Sequence, residues 1–216
     1  MEKILAHYTQ MCVRFDMLVT GYFGSAHQIG ILRRMGLPLL KPGALRIIDP
    51  VLGDNGALYP IYTSAFVEQM RGLCSEADII TPNLTEACLL SDMAYEKAGA
   101  PGFYDALFAR LHALGPHTVI LTGIRFSEER IGILGEAGKT RFSADAPYVD
   151  RCFHGTGDVF TGALVGRIAR GDDVETAAAR AVNFVSECIA DTMPVIEEHW
   201  YGLCFEERLN ELTRGT

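Results

Sequence analysis

Positive charge is in short supply: 19 Lys and Arg stand against 27 Asp and Glu, a formal net charge of −8 over 216 residues. That leaves no basic stripe of the kind a phosphate backbone or an anionic lipid surface requires, so nucleic acid and membrane are set aside as partners in favour of small molecules. Long apolar runs are lacking too. None approaches the roughly 18 residues of a membrane span, and the opening MEKILAHYTQMC has neither the basic start nor the apolar stretch of a signal peptide. A cytoplasmic location is expected. Cys12, Cys74, Cys88, Cys152, Cys188 and Cys204 form no CxxC pair, which argues for reduced, mostly buried thiols and against a disulfide framework or structural metal. His7, His27, His112, His117 and His199 lack metal-ligand spacing, and His154 beside a glycine turn is given no role. Internal repeats and linkers are absent as well.

What is present is apolar content of 49%, enough for one domain with a substantial core. The reading is therefore a single domain across residues 1–216. Short β-rich runs alternate with helical patterns: FDMLVTGY from Phe15, LRIIDPVL from Leu45, ADIITPN from Ala77 and HTVILTG from His117. These runs are nearly continuous in apolar residues, as strands covered on both faces are. The fold class is α/β with a mostly parallel sheet, and ligands are expected at the strands' C-terminal ends. RIGILGEAGKTRFSAD from Arg130 reads as an edge hairpin instead. Its GEAGKT is a decoy for a phosphate-binding loop, because neither Gly132 nor Gly135 stands at the required spacing. AYEKAGAPGFY from Ala94 reads as a surface loop. After Gly155 come two helices, both expected to pack on the sheet. One uses Val159, Phe160, Ala163, Leu164 and Ile168, with Gly162 and Gly166 allowing close backbone approach; the other uses Val174, Ala178, Ala181, Val182, Val185 and Ile189.

Chemistry concentrates at four strand ends. In FHGTGDVFTG, Gly155, Thr156 and Gly157 can aim successive backbone N–H groups at one point, which attracts anions. Equally, Thr156 can be an N-cap and Asp158 a complement to the helix dipole. In TPNLTEACLL, Asn83 and Glu86 either close a capping box or hold a hydrated divalent cation. IIDPVLGDNGALY supplies Asp49 at a strand end, then Asp54 and Tyr59 in a Gly-rich loop, and VILTG offers Thr122 and Gly123 to a phosphate.

The order TGY, DPVLGDNGALY, TPNLTEACLL, LTG and HGTGD, with HWYGLCFE near the C-terminus, resembles the vitamin B6 (pyridoxal/pyridoxamine) kinases of the ribokinase-like superfamily. The resemblance implies a three-layer α/β/α fold, a homodimer, and ATP- and magnesium-dependent phosphorylation of the 5′-hydroxymethyl group of pyridoxal, pyridoxamine or pyridoxine. Under it, Asp158 matches the catalytic base and the Gly155–Gly157 amides match the anion hole. Asn83, Glu86 and Asp49 match residues that organise magnesium and nucleotide phosphates, with Thr122 near the phosphate chain. Tyr22 matches an aromatic that packs on the pyridine ring. Members of the family begin with a strand, a glycine-containing loop and part of a lid, none of which precedes MEKILAHYTQMCVRF here. That stretch reads as a helix with Ile4, Leu5, Tyr8, Met11 and Cys12 apolar. The domain is thus expected to be incomplete at its N-terminus, with an unpaired strand edge and exposed apolar surface. Two other readings stand beside an active B6 kinase: a hydroxymethylpyrimidine kinase, which shares fold and anion hole, and a nucleotide-binding homologue with little activity.

Overall fold

The computed structural model describes residues 1–213. Contacts divide the chain into two units, Met1–Leu121 and Thr122 onward. In the first, α1 (Glu2–Gln10) leads into β1 (Phe15–Thr20), α2 (Ala26–Ile31) and β2 (Leu40–Ile48). A small hairpin follows, β3 (Gly53–Asp54) and β4 (Ala57–Leu58), then α3 (Ser64–Cys74), β5 (Ile79–Ile80), α4 (Leu84–Ser91), α5 (Phe103–Leu114) and β6 (Thr118–Arg125), which runs on into the second unit. The order β1-β2-β5-β6 is parallel throughout. Because the strands are parallel, each crossover must travel the length of the sheet, which puts the polar strand-end loops at one edge.

Ile47, Ile48 and Ile80 of the central strands are essentially inaccessible, as are Met70 and Leu73 of α3 and Leu107, Phe108 and Leu111 of α5. The continuous apolar runs are thus explained by burial on both faces. β2 begins five residues before the expected Leu45. Its register against β1 slips between Phe15 and Met17, and this irregularity accommodates Pro42, which has no N–H for the ladder, and Gly43 at φ 77°. β1 ends the strand order and pairs only with β2 among the described residues, leaving Val19 42% exposed. α1 buries no residue, and Ile4 and Met11 are exposed.

In the second unit, β7 (Arg130–Ala137) and β8 (Thr140–Pro147) form the expected antiparallel hairpin, turning at Gly138 and Lys139. GEAGKT is that turn. Gly135 is required by packing, since a Cβ there would come within 2.2 Å of the Phe142 ring. α6 (Thr156–Ala169) and α7 (Val174–Thr192) follow. α7 lies across β7 and β8, while α6 packs along α7 and not mainly on the sheet as expected. The buried face of α7 is shifted toward Ala177, Phe184 and Cys188. Gly162 and Gly166 do not mediate a close approach: a Cβ at either position would meet open space.

No disulfide forms among the described residues; Cys74, Cys88 and Cys188 are buried thiols. None of the described helices is long and apolar enough to cross a membrane.

Candidate active site

Asp49 follows β2 directly, its N–H donating to Thr20 O at 2.9 Å. The loop after it is more ordered than the Gly-rich loop read from sequence. Asn55 and Gly56, at φ 50° and 79°, make a two-residue turn closing β3 on β4, which is the geometry an Asn-Gly pair favours. Gly53 stands where a Cβ would fall 2.1 Å from Ala57 O. Gly53→Ala is expected to destabilise the protein by about 2 kcal/mol, lowering Tm by roughly 4–8 °C in a thermal melt; an unchanged Tm would show that the hairpin can rearrange without cost.

This hairpin is fastened to the start of α4. Asn83 Oδ1 accepts the Glu86 N–H at 2.9 Å, while Glu86 Oε2 accepts the Asn83 N–H at 2.8 Å, a complete capping box. Glu86 Oε1 accepts the Leu52 N–H at 3.1 Å, Asn83 Nδ2 donates to Gly53 O at 2.9 Å, and the Gly56 N–H donates to Thr85 Oγ1 at 2.9 Å. Both ends of the Asn83 amide are therefore committed to the scaffold. The box and a cation role are compatible for Glu86, whose two oxygens each retain lone-pair capacity after accepting one of these bonds.

Glu86 is 4% exposed and Asp49 7%. Burial pushes the Glu86 carboxyl up to about 8, the negative charge of Asp49 adds to the rise, and the backbone N–H groups offset part of it. Two buried carboxylates, one of them raised by the charge of the other, are a donor set which a hard divalent cation would relieve. Among the described residues no three His, Cys, Asp or Glu side chains come together as a metal cage. A magnesium ion here would take Asp49 and Glu86 together with water and phosphate oxygens. Tyr59 joins this group: burial raises its hydroxyl first, then Asp54, Glu86 and Asp49. Asp54 itself is exposed and bonds the Asn55 N–H at 2.8 Å and Asn55 Nδ2 at 3.1 Å.

Beside the acidic group lies an aromatic shelf that the sequence reading only half found. Tyr22 is 62% exposed, with its ring 6.3 Å from that of Tyr62; Tyr59 lies 6.4 Å from Tyr62. Tyr62 and Thr85 were missed, because a tyrosine or threonine next to a helix start carries no pattern that separates a contact from a cap.

In the second unit, Thr122 is half-buried and Gly123 exposed within β6, which runs on to Arg125 instead of ending at them as expected, with Gly123 at φ 69°, a conformation that favours glycine. Thr156 is not the N-cap of α6. Gly155 occupies that place at φ 80°, and among the described residues no side chain caps the helix. The first-turn amides are thereby left to an external acceptor, and Asp158, in that turn, is exposed.

Comparison with known proteins gives the following. The family described as phosphomethylpyrimidine kinase matches residues 13–201. A pyridoxine kinase of Bacillus subtilis (strain 168) is 34% identical over 158 residues, 69% of this chain and 55% of its own length. A structure from Bacteroides thetaiotaomicron VPI-5482, assigned as a phosphomethylpyrimidine kinase and crystallised with pyridoxal, superposes with a TM-score of 0.90 at 32% identity, covering 99% of this chain and 76% of that one. Pyridoxal kinase from Leishmania donovani, in complex with ADP and pyridoxamine, superposes with a TM-score of 0.78 at 25% identity, covering 99% and 77%. The chain spans about half the length of the curated relatives it matches.

Proposed function

Since the chain belongs to the phosphomethylpyrimidine kinase family, within the ribokinase-like superfamily, we propose that it carries out ATP-dependent phosphorylation of the 5′-hydroxymethyl group of a vitamin B6 compound: pyridoxal, pyridoxamine or pyridoxine. The observation that carries this reading is the uncapped start of α6, where first-turn amides and Asp158 stand together. Amides in that position stabilise charge on a transferring phosphoryl group. Asp158 is the group that accepts the hydroxyl proton, and its main contribution is orientation, because a carboxylate is a weak base toward an alcohol and proton transfer is late in a loose transition state. Thr122 and Gly123 contact the nucleotide phosphates. Asp49 and Glu86 hold the magnesium ion, with Asn83 fixing Glu86; the metal neutralises phosphate charge when bound. Asp54 and Tyr59 border the nucleotide phosphates, and Tyr22 stacks on the pyridine ring for roughly 1 kcal/mol. Pyridoxal bound to the Bacteroides relative and pyridoxamine with ADP bound to the Leishmania relative support this choice of substrates.

A second reading, hydroxymethylpyrimidine phosphorylation, is favoured by the description of the matched family. Mass spectrometry separates the two: the chain is incubated with ATP, magnesium, the three B6 alcohols and hydroxymethylpyrimidine. A phosphorylated B6 alcohol is the expected product. Phosphorylated pyrimidine alone would replace the first reading with the second, and no product from folded protein would leave neither.

A further inference from the structure

Tyr62 is almost fully buried, yet it lies within ring contact of the two exposed tyrosines, Tyr22 and Tyr59. Its ring is stacked on Phe66 of α3, centroids 3.9 Å apart and planes 4° from parallel. Its hydroxyl donates 2.7 Å to the backbone carbonyl of Phe23, in the turn that leaves β1 and carries Tyr22. The turn is held as well by Phe23, whose side chain is buried, by the Gly24 N–H donating to Gln28 Oε1 at 2.8 Å, and by a side-chain hydrogen bond between Tyr22 and Tyr62; the Tyr22 side chain lies over Gly24. Burial pushes the Tyr62 hydroxyl up to about 12, so it remains a protonated donor through the physiological range.

The geometry points to Tyr62 as a positioning residue that ties the Tyr22–Gly24 turn to α3 and thereby sets where Tyr22 presents its ring to a flat heteroaromatic substrate. The inference rests on the proposed B6-type substrate and deepens it. Stacking on an exposed tyrosine is productive only if the ring is held in place beforehand; a mobile ring gives back its stacking energy as ordering entropy. Phe66, locked in α3, supplies the rigid base, and the Tyr62 hydroxyl carries that rigidity to the strand-end turn. A structural tyrosine would stabilise the whole unit without preference for one substrate. A positioning tyrosine affects the aromatic alcohol and leaves the nucleotide alone.

The test compares wild type, Tyr62→Phe, Tyr22→Ala and the double variant in the full chain. Phenylalanine keeps the stack on Phe66 and removes only the hydroxyl, so the fold is retained. Two quantities are read: the Kd of pyridoxal by absorbance titration without nucleotide, and KM and kcat for pyridoxal and ATP. Tyr62→Phe is expected to raise Kd and KM for pyridoxal about five- to tenfold, leaving kcat and KM for ATP within about twofold. In the Tyr22→Ala background the same substitution should add almost nothing, because its effect passes through Tyr22. An unchanged Kd, a loss that persists undiminished without the Tyr22 ring, or a wild type that binds no pyridoxal would each overturn the assignment. A wild type that binds pyridoxal without phosphorylating it would overturn the proposed function alone, with the positioning role still decided by the Kd comparison.

Discussion

Asp158→Asn is expected to lower turnover about a thousandfold while the protein stays folded. The side chain is exposed in the first turn of α6, and asparagine has nearly its shape, so no packing is lost. What changes is charge and proton acceptance. If Asp158 only complemented the helix dipole, removing its charge would cost about 0.5 kcal/mol of stability and nothing in rate. If it accepts the hydroxyl proton, asparagine holds the alcohol in place and cannot take the proton, so kcat falls while KM for ATP stays near its wild-type value. Product formation followed by mass spectrometry, beside a thermal melt, separates the two. Wild-type turnover in the variant would remove Asp158 from the chemistry and return α6 to an ordinary helix start.

The second large effect concerns Glu86. In the metal-free protein its carboxyl is raised to about 8 by burial and by Asp49, against about 4.5 when unfolded. Between these values the folded state binds more protons than the unfolded one. Stability therefore decreases as pH rises through this window, by up to about 1.4 kcal/mol per pH unit from this group, and levels off above 8. Protein stripped with a chelator is expected to melt several degrees lower at pH 8 than at pH 5.5, and magnesium with nucleotide should restore much of the difference by compensating both carboxylates. Glu86→Gln should flatten the slope because it no longer titrates. It should also lose most phosphoryl transfer, and it leaves one backbone donor, of Leu52 or Asn83, facing an amide N–H₂. A Tm that rises from pH 5.5 to 8 would contradict the assigned direction.

Much of this protein was legible from residue order alone, and the reasons are local. The β5 run, the end of β2 and the first half of β6 are apolar because both faces are covered, and that pattern survives in one dimension, whereas β1 has the same composition yet buries only Thr20. The hairpin at Arg130 to Pro147 was legible from alternation around a Gly-Lys turn. The Asn83-to-Glu86 spacing offered the capping box that forms as one of two readings beside a cation role, and Asn55-Gly56, expected to lie in a Gly-rich loop, carries a hairpin signal. The cap of α6 was displaced by one residue, since a glycine in the left-handed region can end a strand connection as well as a threonine can start a helix.

Sequence by itself determined the α/β class and the order of the main strands and helices, and it named the side chains to be tested for chemistry, because periodicity, turn residues and caps act over a few residues. Only the tertiary structure decided that Glu86 is buried and near Asp49, so that its acidity follows from burial first and then from a neighbour 37 positions away, and that α7 rather than α6 covers the hairpin. It alone placed Tyr62 beside Tyr22, residues 40 apart, with the Tyr62 hydroxyl bonded to the backbone carbonyl of Phe23. Burial, charge proximity and ring contact depend on which distant segments the chain brings together, and no local pattern encodes that choice.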